Sequence, residues 1–317
     1  MTIELSVITP TRNRAKVLER CLACLAAQSL DPSRYEVIVV DDASTDGTPA
    51  VIDAARRSAA CVIRSFSMAQ RTGISAARNL AIREAGGEII VFVDSDSLAP
   101  RAFLALHLDV HRRAGAAIVC RGPVVLTRSL ERPFDARSSL LDISTAYFDT
   151  DNGSVRKDHL VTAGLFDEDL SPYGWEGLDM GFRLRALGLR RVFCRGAALY
   201  HYQPDVTPGS LAAMLAKEDE RARTALRFFE KYPTLETRLA LQLTPFHRAL
   251  NTLQRLFGLI HPGNVESWLA RAARWGIPGL GRLLLAGVLN ERYLARLVEE
   301  GSHRRTDGTQ HHRTNIQ

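Results

Sequence analysis

The chain has 317 residues, 46% of them hydrophobic and 24% charged, the balance of a soluble globular protein. No run approaches the roughly 18 apolar residues of a membrane span, and the opening "MTIELSVITPTRNR" lacks the basic-then-apolar order of a secretory signal. The formal charge of +6 is uneven: residues 1–204 carry 25 basic against 24 acidic side chains, whereas 205–317 carry 16 against 11.

In chain order, "ELSVITP" reads as a β-branched strand, and "AKVLERCLACLAAQS" after it has helical periodicity. "YEVIVVDD" is a second strand of buried type, and "TPAVIDAARRS" a helix with Pro49 in its first turn. "ACVIRSF", "GISAARNLAIREA" and "EIIVFVD" continue as strand, helix and strand. Continuous apolar strands alternating with helices predict a parallel sheet covered on both faces, with ligands bound beyond the carboxyl ends of its strands. That rule gathers "TPTRN", "DDASTDG" and "DSD" on one rim. From about residue 100 to 200 the pattern loosens into mixed α and β structure. Beyond Pro204 it is helical, and residues 302–317, nearly free of apolar side chains, are expected to be unstructured. The expected organisation is therefore 1–204, 205–301 and 302–317.

The five cysteines are an odd number, and free thiols in a cytoplasmic protein are the simpler reading. Cys21 and Cys24 form C-x-x-C inside a helical pattern with no second pair to complete a metal site, so both are expected in the core.

Asp94 and Asp96 close an apolar strand one residue apart. Like charges at that spacing repel unless paired or bound. At a strand end both can turn toward one point, where hard carboxylate oxygens suit Mg²⁺ or Mn²⁺. Asp41 and Asp42 end another strand and can hydrogen-bond a sugar hydroxyl or a base. A phosphorelay receiver also opens on paired aspartates, but it needs a later lysine opposite the phosphoryl group. There is none between Lys16 and Lys157. Gly73, Arg78 and Asn79 lie at a loop-to-helix junction suited to an anionic group.

"VITPTRNR", "IVVDDASTDGT", "GISAARN" with "GGE", and "FVDSD", in that order over residues 3–204, resemble the family 2 glycosyltransferases of the GT-A fold. The fold class implied is α/β, a Rossmann-like and mostly parallel sheet with helices on both faces, here with a helical C-terminal extension. The resemblance implies a nucleoside-diphosphate sugar donor, with a UDP-sugar the leading candidate, a divalent cation on the D-x-D, and inversion at the anomeric carbon. It places Pro10, Thr11 and Arg12 along the nucleotide pocket and Asp41 and Asp42 at the base or ribose. Arg78 falls at the nucleotide, Asp94 at ribose and metal, Asp96 on the metal, and His201 of "ALYHYQP" at a late metal ligand.

Single-displacement transfer needs a base to take the acceptor proton. "GWEGLDMGFRL" resembles the family's acidic helix motif, but Gly177 stands where the usual Asp would be. Glu176, at a helix start, is the expected base, with Asp179 the fallback; Asp179 also reads as an i,i+4 partner of Arg183. "NGSVRKDHL" followed by "AGLFDE" resembles the family's acceptor-side segment, which implies that Arg156 faces a phosphate or sugar; plain solvent is the equal alternative.

The helical third carries apolar stripes with arginines between them. Packing against a core explains these, and contact with an anionic membrane is the sharper reading. Acids such as those in "KEDER" argue against nucleic acid. A saccharide, lipid-linked or small-molecule acceptor, and a homodimer, all stay open. A non-catalytic sugar-nucleotide binder, motivated by Gly177, and a membrane-docking adaptor are the rival functions.

Overall fold

The computed structural model describes residues 2–137, 146–170, 173–204, 208–255 and 258–314. The chain forms two compact units: Met1–Pro172 with Glu176–Asp205, and Tyr173–Trp175 with Val206–Gln317.

The first unit is built on strands β1 (Leu5–Thr11), β2 (Tyr35–Asp41), β3 (Val62–Ser67) and β4 (Ile89–Phe92), the four apolar runs of the first hundred residues. With β6 (Ile118–Arg121), β8 (Gly153–Arg156) and β9 (Arg190–Phe193) they make a seven-stranded sheet in the order β3-β2-β1-β4-β8-β6-β9. Pairing is parallel except along β8, which runs antiparallel to both β4 and β6. A smaller sheet, β5-β10-β7, joins β5 (Ser97–Leu98), β10 (Leu199–Tyr202) and β7 (Val124–Thr127).

Every residue of β1 and β2 is buried, because side chains of both parities meet helices. On one face Leu5, Val7, Val37 and Val39 pack with Leu18 and Leu22 of α1 (Ala15–Ala26) and Ile52 of α2 (Thr48–Ser58). Phe103 and Leu104 of α4 (Phe103–Ala114) join them. On the other face Ile8, Ile38 and Val40 pack with Ala77, Ala81 and Ile82 of α3 (Ile74–Glu84). Met180 and Leu184 of α6 (Glu176–Ala186) complete that layer; α5 (Lys157–Thr162) follows β8 directly. Cys21 is fully buried and Cys24 packs against the same cluster; both are free thiols, as their helical setting predicts.

Register decides which strand ends share a rim. Ile8 of β1 pairs with Phe92 of β4, and Gly153 of β8 lies opposite Phe92. The loops after β1 and β4 and the chain just before β8 therefore meet at one edge. Arg156 pairs with Ile89 at the other end of β4 and forms an ion pair with Glu88. It lies at the end of β4 away from the D-x-D turn, because β8 runs antiparallel there.

The second unit comprises α7 (Pro208–Lys231), α8 (Leu235–Ala240), α9 (Pro245–Gln254), α10 (Val265–Arg274) and α11 (Pro278–Thr314). Leu211, Ile260, Val265, Leu284, Leu285 and Val288 form one core cluster. Trp175 stacks on Phe228, ring centroids 6.0 Å apart, and its indole N–H donates to the Arg221 carbonyl at 2.9 Å. The backbone is helical through Thr314, where the near-absence of apolar residues predicts an unstructured tail. An α-helix satisfies its backbone hydrogen bonds within the segment and does not require an apolar face.

Candidate active site

Four segments converge at the rim. After β4, Val93 N–H donates to the Ile8 carbonyl at 3.1 Å, and Ser97 N–H closes a turn onto the Asp94 carbonyl at 3.0 Å. This turn carries Asp94 and Asp96. Asp151, two residues before β8, lies beneath it. Asp151 Oδ1 accepts from the Ser97 hydroxyl at 2.6 Å and from Asp94 N–H at 3.3 Å. Asp151 Oδ2 is 3.0 Å from His201 Nδ1 of β10, and Asp96 Oδ1 is 3.7 Å from the same nitrogen. Antiparallel pairing of β10 with β5, His201 opposite Ser97, brings that histidine in.

Cations of the chain answer these carboxylates. Arg14 Nη1 reaches Asp96 Oδ2 at 2.8 Å. Arg78 is 1% exposed; its Nη2 donates to Asp94 Oδ1 at 3.1 Å and its Nη1 to Glu176 Oε1 at 3.0 Å. The guanidinium also sits 5.5 Å from the centroid of the Phe166 ring. Arg78 thus ties the strand-end acid to the acid that opens α6. In this structure its guanidinium is taken up by those two carboxylates, and α3 packs the side chain inward beneath the rim.

Burial and repulsion from Asp151 raise Asp94 to about 7, with Arg78 opposing and Asp96 adding to the rise. Burial works against charge on Asp151 as well, but the hydrogen bond and charge of His201 and the bond from Ser97 hold it below the usual carboxylate value. His201 is raised to about 9: burial disfavours its charge, and the bond to Asp151 with the nearby acids outweighs that.

The acids after β2 have local work. Asp41 accepts from the amide of Ser44 at 3.1 Å and from its hydroxyl. Asp42 Oδ1 accepts from Thr72 N–H at 2.7 Å and from its hydroxyl at 3.1 Å, while Oδ2 accepts from Gly73 N–H at 3.0 Å. Gly73 has φ +99°, a conformation natural to glycine, so the loop into α3 hangs on Asp42. Arg12 donates to the carbonyls of Asp42 at 2.6 Å and Ala43 at 2.9 Å. Pro10 and Thr11 are buried strand residues, with Thr11 carbonyl accepting from Asp42 N–H at 2.9 Å. These side chains build the rim's walls. A cleft of about 290 Å³ opens beside Arg14, lined by Asn13, Lys16, Asp46 and Tyr202 among others.

The two carboxylates of α6 part company. Asp179 is fully buried and accepts from Arg183 Nε at 2.9 Å and from Nη2. Arg183 in turn donates to the Ala163 and Leu165 carbonyls, so the pair anchors α6 to the turn after α5. Of the two readings weighed for Asp179, the i,i+4 partner is the one this geometry describes. Glu176 begins the helix at the rim. A Cβ at Gly177 would meet Thr150 at 3.4 Å, an ordinary contact, so glycine is not demanded by space there.

Asp151, Ser97 and Arg14 escape a sequence reading. Asp151 follows no apolar strand and stands in "FDTDNGS", an ordinary-looking loop. In charge and donor type Asp94, Asp96 and His201 suit a hard dication. Among the described residues, however, no three His, Cys, Asp or Glu side chains are gathered as a ligand set; His201 Nδ1 is on Asp151, which leaves Nε2 as the nitrogen a cation would use.

The glycosyl transferase family 2 profile matches residues 6–160, the span that holds β1 through β8 and the D-x-D turn. Residues 6–160 are a family 2 glycosyltransferase domain. The chain is 27% identical over 241 residues to the glycosyltransferase YfnE of Bacillus subtilis, covering 58% of this chain and 61% of that protein. It is 28% identical over 229 residues to validoxylamine A glucosyltransferase of Streptomyces hygroscopicus subsp. limoneus, 60% of this chain and 50% of the relative. The chain thus spans between half and two thirds of these relatives. Among solved structures it resembles the mannosyltransferase PcManGT of Pyrobaculum calidifontis in complex with GDP-Man and Mn²⁺. The TM-score is 0.60 at 20% identity, over 93% of this chain and 88% of that one. TarS 1–349 of Staphylococcus aureus with UDP-GlcNAc gives 0.54 at 18%, over 96% and 92%. These likenesses establish the fold: the family 2 domain is a GT-A sheet.

Proposed function

We propose that the family 2 domain transfers a glycosyl group from a nucleoside-diphosphate sugar to an acceptor hydroxyl, inverting the anomeric carbon in one displacement. The observation that carries this is Arg78, which fixes the strand-end Asp94 and the helix-opening Glu176 on one buried guanidinium. A leaving-group site and an acceptor base need that fixed separation. Glu176 takes the acceptor proton as the new C–O bond forms and the bond from the anomeric carbon to the phosphate oxygen breaks. Asp94 and Asp96 would hold a divalent cation, with His201 joining them once its second proton is displaced by the cation and the three side chains are drawn together. That cation, when bound, supplies charge neutralisation at the departing diphosphate. The raised value of Asp94 supports it, since a cation relieves the same repulsion. Asp42, Gly73 and Arg12 keep the rim's loops in shape for the nucleotide.

The solved neighbours carrying GDP-Man with Mn²⁺ and UDP-GlcNAc support a nucleotide-sugar donor and a dication. A UDP-sugar is the donor proposed here. The acceptor belongs to saccharides, lipid-linked saccharides or small molecules, in surface polysaccharide, glycolipid or glycosylated metabolite synthesis. The five free cysteines accord with a cytoplasmic setting.

The test is release of nucleoside diphosphate from a panel of sugar nucleotides with Mn²⁺, with and without a chelator, for the natural protein and Asp96→Ala. Turnover lost on chelation and in the variant supports the reading. Turnover that survives both refutes the metal's part, and donor binding without turnover toward any acceptor favours a sugar-nucleotide binder.

A further inference from the structure

Helix α9 packs the wrong way round for a soluble protein. Its polar side turns inward: Asn251 is 2% exposed and its amide donates to Glu291 of α11 at 2.8 Å. Arg255, one turn on, pairs with the same glutamate at 2.9 Å. Gly287 of α11 lets the helices approach closely, since a Cβ there would stand 3.0 Å from Gln254 Cβ. At 100° per residue, Phe246, Leu250 and Leu253 form one stripe opposite Asn251 and Arg255. That stripe faces away from α11, and its members are 69%, 39% and 57% exposed. An amphipathic helix ordinarily buries its apolar stripe. Here the buried polar contacts fix α9 in place and leave the apolar face outside. Leu259 and Trp275, in the connections flanking α10, are 70% and 61% exposed as well.

Charge selects the occupant. From Glu236 to Glu291 there are six arginines and three acids; Arg255 is paired with Glu291, and Arg238, Arg248, Arg271, Arg274 and Arg282 are exposed. A second copy of this chain joined about a two-fold axis would set arginines against arginines. Nucleic acid would reward the arginines and leave Phe246 and the leucines without gain. An anionic lipid surface accepts both, the apolar stripe into the acyl boundary and the arginines at the head groups. No helix among the described residues is long and apolar enough to cross a membrane, so the contact is with one leaflet.

We propose that the outward stripe of α9 docks this protein onto an anionic lipid bilayer. The surface stands independently of the sugar-transfer reading, because it uses no residue of the candidate active site.

The experiment is flotation of the full chain with phosphatidylglycerol-containing vesicles and with phosphatidylcholine vesicles, at about 0.05 M and about 0.5 M salt. Binding is expected to anionic vesicles at low salt, weakened at high salt. The variant Phe246→Ser/Leu250→Ser/Leu253→Ser should bind at least about tenfold more weakly, since burial of those side chains supplies the apolar part. Its circular dichroism and donor turnover should match the natural protein, because the three side chains are exposed. No flotation at low salt overturns the proposal, as does equal flotation of the variant. A dimer by light scattering that the variant dissolves, without vesicle binding, assigns the stripe to a second copy and overturns it too.

Discussion

Replacement of Arg78 by methionine tests the central arrangement most directly. The guanidinium is 1% exposed and makes two charge-assisted hydrogen bonds, 3.0 Å to Glu176 and 3.1 Å to Asp94. Bonds to charged groups contribute about 1.5–3 kcal/mol each, and removing one partner of a buried ion pair costs about 3–5 kcal/mol. Methionine fills much of the same volume, so the loss is electrostatic rather than a cavity. For a unit of this size each kcal/mol moves the melting temperature by about 2–4 °C, which predicts a fall of about 6–20 °C. Differential scanning calorimetry of Arg78→Met measures it. The double variant Arg78→Met/Glu176→Gln should recover part of the loss, because a neutral amide costs less to leave unpaired. Arg78→Lys should fall between, since a single ammonium cannot fork to both acids. A melting temperature for Arg78→Met within about 2 °C of the natural protein would refute the reasoning, since one displaced kcal/mol already moves it that far.

Three further outcomes follow from the same geometry. Glu176→Gln should lower turnover by at least about a hundredfold with donor affinity nearly unchanged, whereas Asp179→Asn should lower the melting temperature through the Arg183 anchor; steady-state kinetics beside thermal melts separate the two. Asp151→Asn keeps an oxygen for Ser97 but sets an NH2 donor where Oδ2 faces His201, and Mn²⁺ affinity by titration calorimetry should weaken about 10–100-fold, the usual cost of losing a partner behind a metal ligand. His107 and His111 of α4, both bonded to the Ser154 hydroxyl, are pushed down to about 4 chiefly by burial. Their neutral forms stabilise the fold above the unfolded value of 6.5, and that contribution is lost as pH falls from there toward 4. By about pH 5 the loss is about 2 kcal/mol per histidine, so urea midpoints should drop across that window and His111→Gln should flatten the drop.

Much of this protein could be read before any coordinates. Strands β1, β2 and β4 lie where their apolar runs place them, because a strand buried on both faces reads as a near-continuous apolar run, while edge strand β3 is only partly buried. That Asp94 and Asp96 stand at a strand end, on the rim shared with the loops after β1 and β2, follows from the parallel order alone. Roles inside the rim did not follow. Whether Arg78 meets a ligand or two carboxylates depends on α6, 98 residues further along, docking beside α3. Asp151 enters because β8 runs antiparallel beside β4, and the same reversal carries Arg156 to the far end of the sheet. The inverted face of α9 is likewise invisible to periodicity, which reports that a helix has an apolar side and not where that side points. Local chemistry writes strands, helices and their ends into the chain, while contacts between distant segments are set by which elements pack together, and these alone choose the partner of each charge.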